Sequence, residues 1–320
     1  MPFESKNKDL IDKLQEALSV KRSTARVYAS TLATLARNVN IPPEDVTSLT
    51  WLTKKRIVKF VSDVNNLTKR KNLASGIVAG LKVIKEKKII QEYRQILMKA
   101  DKDYTAFLVS GKRKRPYKNA DKQWTMIRGL WKKVSSIVST QKIFQRGESV
   151  NQQEYRTLMA LAYLKFVSDM PVRRLEYAST RFWEGKDPPE GGNYILVKKR
   201  GPWVWSISEY KTFKTFGKQE FPITTGLRTI LTKIRPITKA KNNDEYLFLN
   251  SRWRNMSRDL FSKFVGSVFR TYAGKPWTQN TIRSIKVSSV WKDSIKTIDA
   301  LRISEEMAHD PRTAMIHYRN

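Results

Sequence analysis

The sequence predicts a mainly α-helical protein of two domains, with a small antiparallel β-sheet set into the second. Three observations lead there. Apolar residues recur at helical spacing through most of the first hundred positions. A run of consecutive cations closed by a proline, Gly111-Lys112-Arg113-Lys114-Arg115-Pro116, separates that region from the rest. The period then becomes strand-like between Tyr194 and Ile223 before helical spacing returns. At 320 residues the chain is long enough for two hydrophobic cores, and 40% hydrophobic residues is ordinary for folded protein.

The elements follow in order. Leu10 to Leu18 has helical spacing. Ser23-Thr24 reads as the cap of a second helix, whose apolar face carries Val27, Tyr28, Leu32 and Leu35. Pro42-Pro43 breaks the pattern. A third helix is expected from about Thr53, with Ile57, Phe60 and Val61 inward. A fourth runs from about Lys69 to Lys85, with Leu73, Ile77, Leu81 and Ile84 on one side. These helices define a first domain over residues 1–110. Residues 111–120 form a basic linker, since consecutive like charges resist packing; a solvated hinge is one use for it, a nuclear-localisation signal or phosphate-contacting strap another. The second domain, residues 121–320, opens with helices near Trp124–Val138 and Gln153–Ser168. Short strands are expected at Tyr194–Lys199, Trp203–Ser208 and Glu220–Ile223, with reversals at a Gly-Pro turn and at Gly217. Helical patterns resume at Leu227.

Charge narrows the function. The chain carries 62 Lys+Arg against 29 Asp+Glu, a net of +33. A fold with that excess favours a polyanion, which it binds by neutralising phosphates and releasing counterions. The cations are interleaved with aromatics along the whole length and no obvious lipid-binding helix concentrates them, so nucleic acid is preferred over a lipid surface as partner, with a ribosomal-type RNA binder as a competing reading. No apolar run approaches a membrane span and no secretory signal opens the sequence, so no membrane partner and an intracellular location at DNA are expected. Cysteine is absent, which removes disulfides, thiolate nucleophiles and cysteine-based zinc sites. No phosphate-cradling G-x-x-x-x-G-K-[ST] loop is present, because Gly274-Lys275 lacks the upstream glycine. Neither metal nor nucleotide cofactor is expected.

Chemistry is suggested at the C-terminal end. His309 and Tyr318 are nine positions apart, which would place them on opposite faces of one unbroken helix at about 100° per residue. Asp310-Pro311 between them reads as a cap followed by proline at the first helical position. His309 then ends one element, Tyr318 sits on the next, and the two can converge. The alternative for Tyr318 is an ordinary packing aromatic.

Segments upstream, in order, resemble the tyrosine recombinase (phage integrase) family over essentially the whole chain. Met170-Pro171-Val172-Arg173-Arg174-Leu175-Glu176 is similar to the family's first box, in which a helix ends in a turn and glutamate follows arginine by three. The resemblance makes Arg173 the first arginine of a phosphate clamp and Glu176 its supporting partner; the glutamate spacing favours Arg173 over Arg174. Tyr210 to Pro222 resembles the hairpin that presents a catalytic lysine, with Lys214 favoured and Lys211 the rival. Asn280-Thr281-Ile282-Arg283 stands where the family has H-x-x-R, giving Arg283 as second clamp arginine and Asn280 in place of histidine. His309 and Tyr318 match the last conserved position and the nucleophile, and Glu245-Tyr246-Leu247-Phe248 resembles the apolar stretch between hairpin and second arginine.

The resemblance implies a two-domain DNA clamp, a helical core-binding domain followed by a mixed α/β catalytic domain. It implies metal- and ATP-independent strand transesterification through a 3′-phosphotyrosyl link, in a virus- or mobile-element-type integrase acting as a homotetramer on two duplexes. Arg173, Arg283, His309 and Asn280 would hold the phosphate oxygens and Lys214 would protonate the leaving oxygen, while Lys112, Arg113, Lys114, Arg115 and Lys211 would contact DNA. The rival readings are a type IB topoisomerase or telomere-resolvase-like enzyme, and a catalytically silent DNA-binding protein of the same fold.

Overall fold

The computed structural model describes residues 7–109, 119–185, 188–290 and 305–306. The chain forms two compact units, Met1–Lys114 and Arg115–Asn320. No helix among the described residues is long and apolar enough to cross a membrane.

The first unit is helical: α1 (Lys8–Leu18), α2 (Arg22–Asn38), α3 (Lys55–Ser62), α4 (Leu67–Val83) and α5 (Lys87–Val109). Its core is the set that helical spacing selects. Leu10, Ile11, Leu14, Leu32, Leu35, Ile57, Val61, Leu73, Ile77 and Leu81 are all buried, joined by Trp51, Leu52 and Tyr93. Each such side chain contributes roughly 1.5–3 kcal/mol. Pro43 starts a 3-10 turn, Pro43–Ser48, where its fixed φ and missing N–H cost nothing. The Asn66 side chain caps α4 by accepting from the Lys69 amide at 2.9 Å.

Two expectations need correction here. Val27 is not on the apolar face of α2 but 62% exposed, because Ala25, Ala29, Leu32 and Ala36 make the inward stripe. Ser23-Thr24 does not cap that helix, which begins one residue earlier with Lys21 at the N-cap and no side-chain capping bond. The long helix α5 was not foreseen, since its many charges dilute the apolar pattern.

The second unit is built around α7 (Gln152–Asp169), which follows α6 (Ala120–Thr140). Asn151 and Glu154 form a reciprocal capping box, Glu154 N–H to Asn151 Oδ1 at 3.0 Å and Asn151 N–H to Glu154 Oε2 at 2.9 Å. Residues from Tyr155 to Val167 are buried on nearly every face, the mark of a central helix. The four strands, β1 (Thr180–Glu184), β2 (Asn193–Val197), β3 (Val204–Ile207) and β4 (Gln219–Pro222), lie in the order β1-β2-β3-β4. Between β3 and β4 stands a single helical turn, α8 (Phe213–Phe216); α9 (Thr225–Lys241), α10 (Arg258–Ala273) and α11 (Gln279–Val290) complete the described elements.

The sheet is mixed rather than antiparallel throughout. β2, β3 and β4 pair antiparallel as expected, but β1 was missed and runs parallel to β2, with Thr180 opposite Asn193 and Glu184 opposite Val197. Its β-branched and aromatic residues, Thr180, Phe182 and Trp183, are strand formers, yet a five-residue strand is too short to declare a period. An aromatic core fills the space beneath the sheet. Tyr177 stacks on Trp205 (centroids 5.0 Å apart) and on Phe261 (5.9 Å), with Phe166 edge-on to both Tyr177 and Trp205.

Candidate active site

The centre of the second unit's polar architecture is the turn that follows α7. Helix α7 stops at Met170, and the chain folds back on itself around Tyr177: the Arg173 amide donates to the Tyr177 hydroxyl at 3.2 Å, and that hydroxyl donates to the Pro171 carbonyl at 3.3 Å. Because Tyr177 is part of the aromatic core, the turn is anchored from below. Arg173 is thereby held at 1% exposure and Glu176 at 5%.

Asn193 fixes this turn to the sheet. Its Nδ2 donates to the Glu176 carbonyl (3.1 Å), the Ser179 hydroxyl (3.0 Å) and the Glu209 carbonyl (3.3 Å). Its Oδ1 accepts from the Ser208 and Glu209 amides at 3.1 and 2.9 Å. One buried amide thus satisfies the polar backbone of the arginine turn and of the segment leading to Lys211.

That segment docks on the arginine directly. The Arg173 guanidinium lies over the Tyr210 ring, 4.7 Å from its centroid, and the Tyr210 hydroxyl donates to the Gly217 carbonyl. Gly217 takes a positive φ of 63°, which lets the chain turn into β4. Tyr210 therefore closes the loop that carries both lysine candidates and presses it on Arg173. Lys211 and Lys214 are exposed, Lys214 on the single turn α8 rather than on a strand. The choice between them stays open.

Helix α11 supplies the second arginine. Arg283 is 4% exposed, and one turn before it Gln279 is 2% exposed. Gln279 Nε2 donates to the Arg173 carbonyl at 2.6 Å while its Oε1 accepts from the Tyr163 hydroxyl, so the first turn of α11 is fastened both to the arginine turn and to α7. Thr278 caps that turn, accepting from the Thr281 amide at 3.2 Å. Asn280, next to Gln279, is exposed. Of the predicted residues, Arg173 and Glu176 are buried in the turn at Tyr177, Arg283 is buried within electrostatic reach of the same phenol, and the Lys211–Lys214 loop is held against Arg173 through Tyr210. His309, Tyr318, Lys112, Arg113, Lys114 and Arg115 lie outside the described residues.

The electrostatics follow from burial. The Arg173 guanidinium is pushed below its usual range by desolvation, opposed by Glu176, Tyr210 and Tyr177. Tyr177 is pushed well above the usual phenol range, again mainly by burial; the bond from the Arg173 amide and the charges of Arg173 and Arg283 pull the other way. Its hydroxyl serves to anchor the turn. Tyr210 is raised by burial, with Arg173 opposing.

Gln219, Gln279, Asn193 and Tyr210 were not singled out in the sequence. Amides and phenols carry no charge pattern, and only their positions in the fold reveal their use. Among the described residues no group of three or more His, Asp or Glu converges as a metal site. No protein-family model matches the chain, and no curated protein matches it.

Proposed function

We propose that this chain is a DNA strand-transfer enzyme of the tyrosine recombinase type, a site-specific recombinase or integrase that integrates or excises double-stranded DNA. The observation that carries the reading is the burial of Arg173 and Arg283, far apart in sequence, within electrostatic reach of one phenol and joined through Gln279. Two buried like charges at one site are costly; the buried Glu176 carboxylate offsets part of that cost, and a bound anion lowers it further. Arginine suits a phosphate because its planar fork offers paired donors and stays protonated. The charge excess is spread over both units; in the first, Lys21, Lys54, Lys55, Arg56 and Lys59 are exposed cations available to a phosphate backbone.

In this reading the Tyr318 hydroxyl oxygen attacks the scissile phosphorus and its proton leaves to water. Arg173 and Arg283, with His309 and Asn280, stabilise the charge on the nonbridging oxygens. The bond to the 5′ oxygen breaks as Lys214 or Lys211 protonates it. The phosphotyrosyl ester conserves the bond energy, so a 5′-hydroxyl from a partner strand reverses the step without ATP. Four protomers on two duplexes, and origin in a virus or mobile element, follow from the family resemblance.

The test is a duplex nicked beside the cleavage site, so that the released fragment diffuses away and the covalent intermediate accumulates. An adduct formed by the intact chain and lost in Tyr318→Phe supports the reading. Salt-sensitive binding with no adduct would instead mark a silent DNA-binding protein, and relaxation of supercoiled plasmid without strand exchange a topoisomerase-like enzyme.

A further inference from the structure

Arg173 is covered by main chain from a distant part of the sequence. Its Nη1 donates to the Glu306 carbonyl at 3.0 Å and to Gln219 Oε1 at 2.6 Å. Gln219, the first residue of β4, donates its Nε2 to the Glu305 carbonyl at 2.9 Å. One amide side chain therefore bridges the arginine and the peptide that lies on it. Lys286 of α11, 5.3 Å from the centroid of the Trp124 ring, lies within electrostatic reach of Glu306. The Arg173 Nε, although buried, has no hydrogen-bond partner.

We propose that Gln219 is a positioning residue that tethers the chain at residues 305–306 to Arg173 and keeps it there while a phosphate binds the arginine. The two Nη1 contacts are unequal in length, 2.6 Å to Gln219 and 3.0 Å to the Glu306 carbonyl. Nη1 carries two N–H donors, one used by Gln219 and one by the Glu306 carbonyl. An incoming phosphate oxygen is a stronger acceptor than a peptide carbonyl and displaces Glu306. The Gln219 contact remains, and through Nε2 it retains Glu305. The guanidinium is then opened to the anion while the chain leading to His309 and Tyr318 stays tied to the site. Only a side chain with an acceptor at one end of its head group and a donor at the other performs this. A carboxylate of the same shape would keep the arginine and lose Glu305.

The tether is a property of the fold, and only its catalytic consequence rests on the strand-transfer reading. Hydrogen–deuterium exchange on the full chain, read in the peptide spanning 305–306, tests it with Gln219→Ala, the isosteric Gln219→Glu, and Lys218→Ala as control. Loss of one hydrogen bond is expected to raise exchange there about threefold to tenfold in both Gln219 variants and leave the control unchanged. On a nicked substrate the same two variants form adduct at least roughly threefold more slowly, with DNA affinity unchanged. Wild-type exchange in Gln219→Glu would show that the residue serves Arg173 alone and overturn the proposal, as would unchanged exchange in both. If exchange rises but no variant carrying Tyr318 forms adduct, the tether stands and the strand-transfer reading falls.

Discussion

At the scale of single residues, the second unit spends buried polar side chains on holding one arginine. Asn193 makes five hydrogen bonds through one amide, so Asn193→Leu leaves several backbone groups buried and unpaired. We expect it to lower stability by at least about 3 kcal/mol in urea denaturation, counting about 1–3 kcal/mol for each group left unsatisfied. Tyr210→Leu keeps the apolar bulk but loses the face under Arg173 and the bond to Gly217. A cost of about 1–3 kcal/mol is expected, together with faster proteolysis within 210–217. Equal protease resistance in the variant would mean that Tyr210 does not hold the lysine loop. Arg173 and Arg283 stood out in the sequence because each lies in a segment that resembles a motif, and the fold buries both. Asn193 and Gln219 were not, since an amide's role depends on what happens to surround it.

At the scale of elements, two close approaches set the packing. Gly76 and Gly80 of α4 admit their neighbours so closely that a Cβ on Gly80 would lie 2.6 Å from Leu52 Cδ1 and 3.4 Å from Leu32 Cδ1. Gly80→Val should therefore overpack the first unit and lower its stability by about 1–3 kcal/mol, measured as the shift in urea midpoint. In the second unit the contact between α7 and α11 depends on the Tyr163 hydroxyl donating to Gln279. Tyr163→Phe strands the Gln279 oxygen and should cost about 1–3 kcal/mol, with adduct formation falling alongside if α11 must be registered on Arg173. Helices α1 to α4 and strands β2 to β4 were readable from period and breakers. Strand β1 was not, because its partner and its parallel direction are set by the sheet and not by its five residues.

At the scale of the whole molecule, charge and buried phenols govern the response to solution conditions. With a net charge of +33, affinity for mixed-sequence duplex DNA should fall steeply and log-linearly with salt, by about tenfold or more between 50 and 200 mM. A flat salt dependence would remove DNA as the partner. Tyr155, Tyr163 and Tyr177 all have folded-state pKa values raised by burial above the usual value near 10. The sign follows from proton counting: above pH about 10 the unfolded chain ionises these phenols while the folded chain keeps them protonated. The stability they contribute is complete below that pH and declines above it, by up to about 1.4 kcal/mol per pH unit for each phenol. Urea midpoints between pH 9 and 11, followed with tyrosinate absorbance, should show unfolding and ionisation together.

The sequence by itself determined the helical class, the change of period that announces the sheet, and the net charge of +33 on which the proposed binding of DNA rests. Each of these is a property of residue type and spacing along one strand of chain. Only the tertiary structure decided that Arg173 and Arg283 are both buried within electrostatic reach of Tyr177, that β1 runs parallel to β2, and that Glu305, Glu306 and Gln219 close over Arg173. Those depend on contacts between positions from 13 to 133 residues apart. Hydrogen bonds between uncharged amides and carbonyls leave no periodic or electrostatic trace in the sequence from which such a meeting can be read.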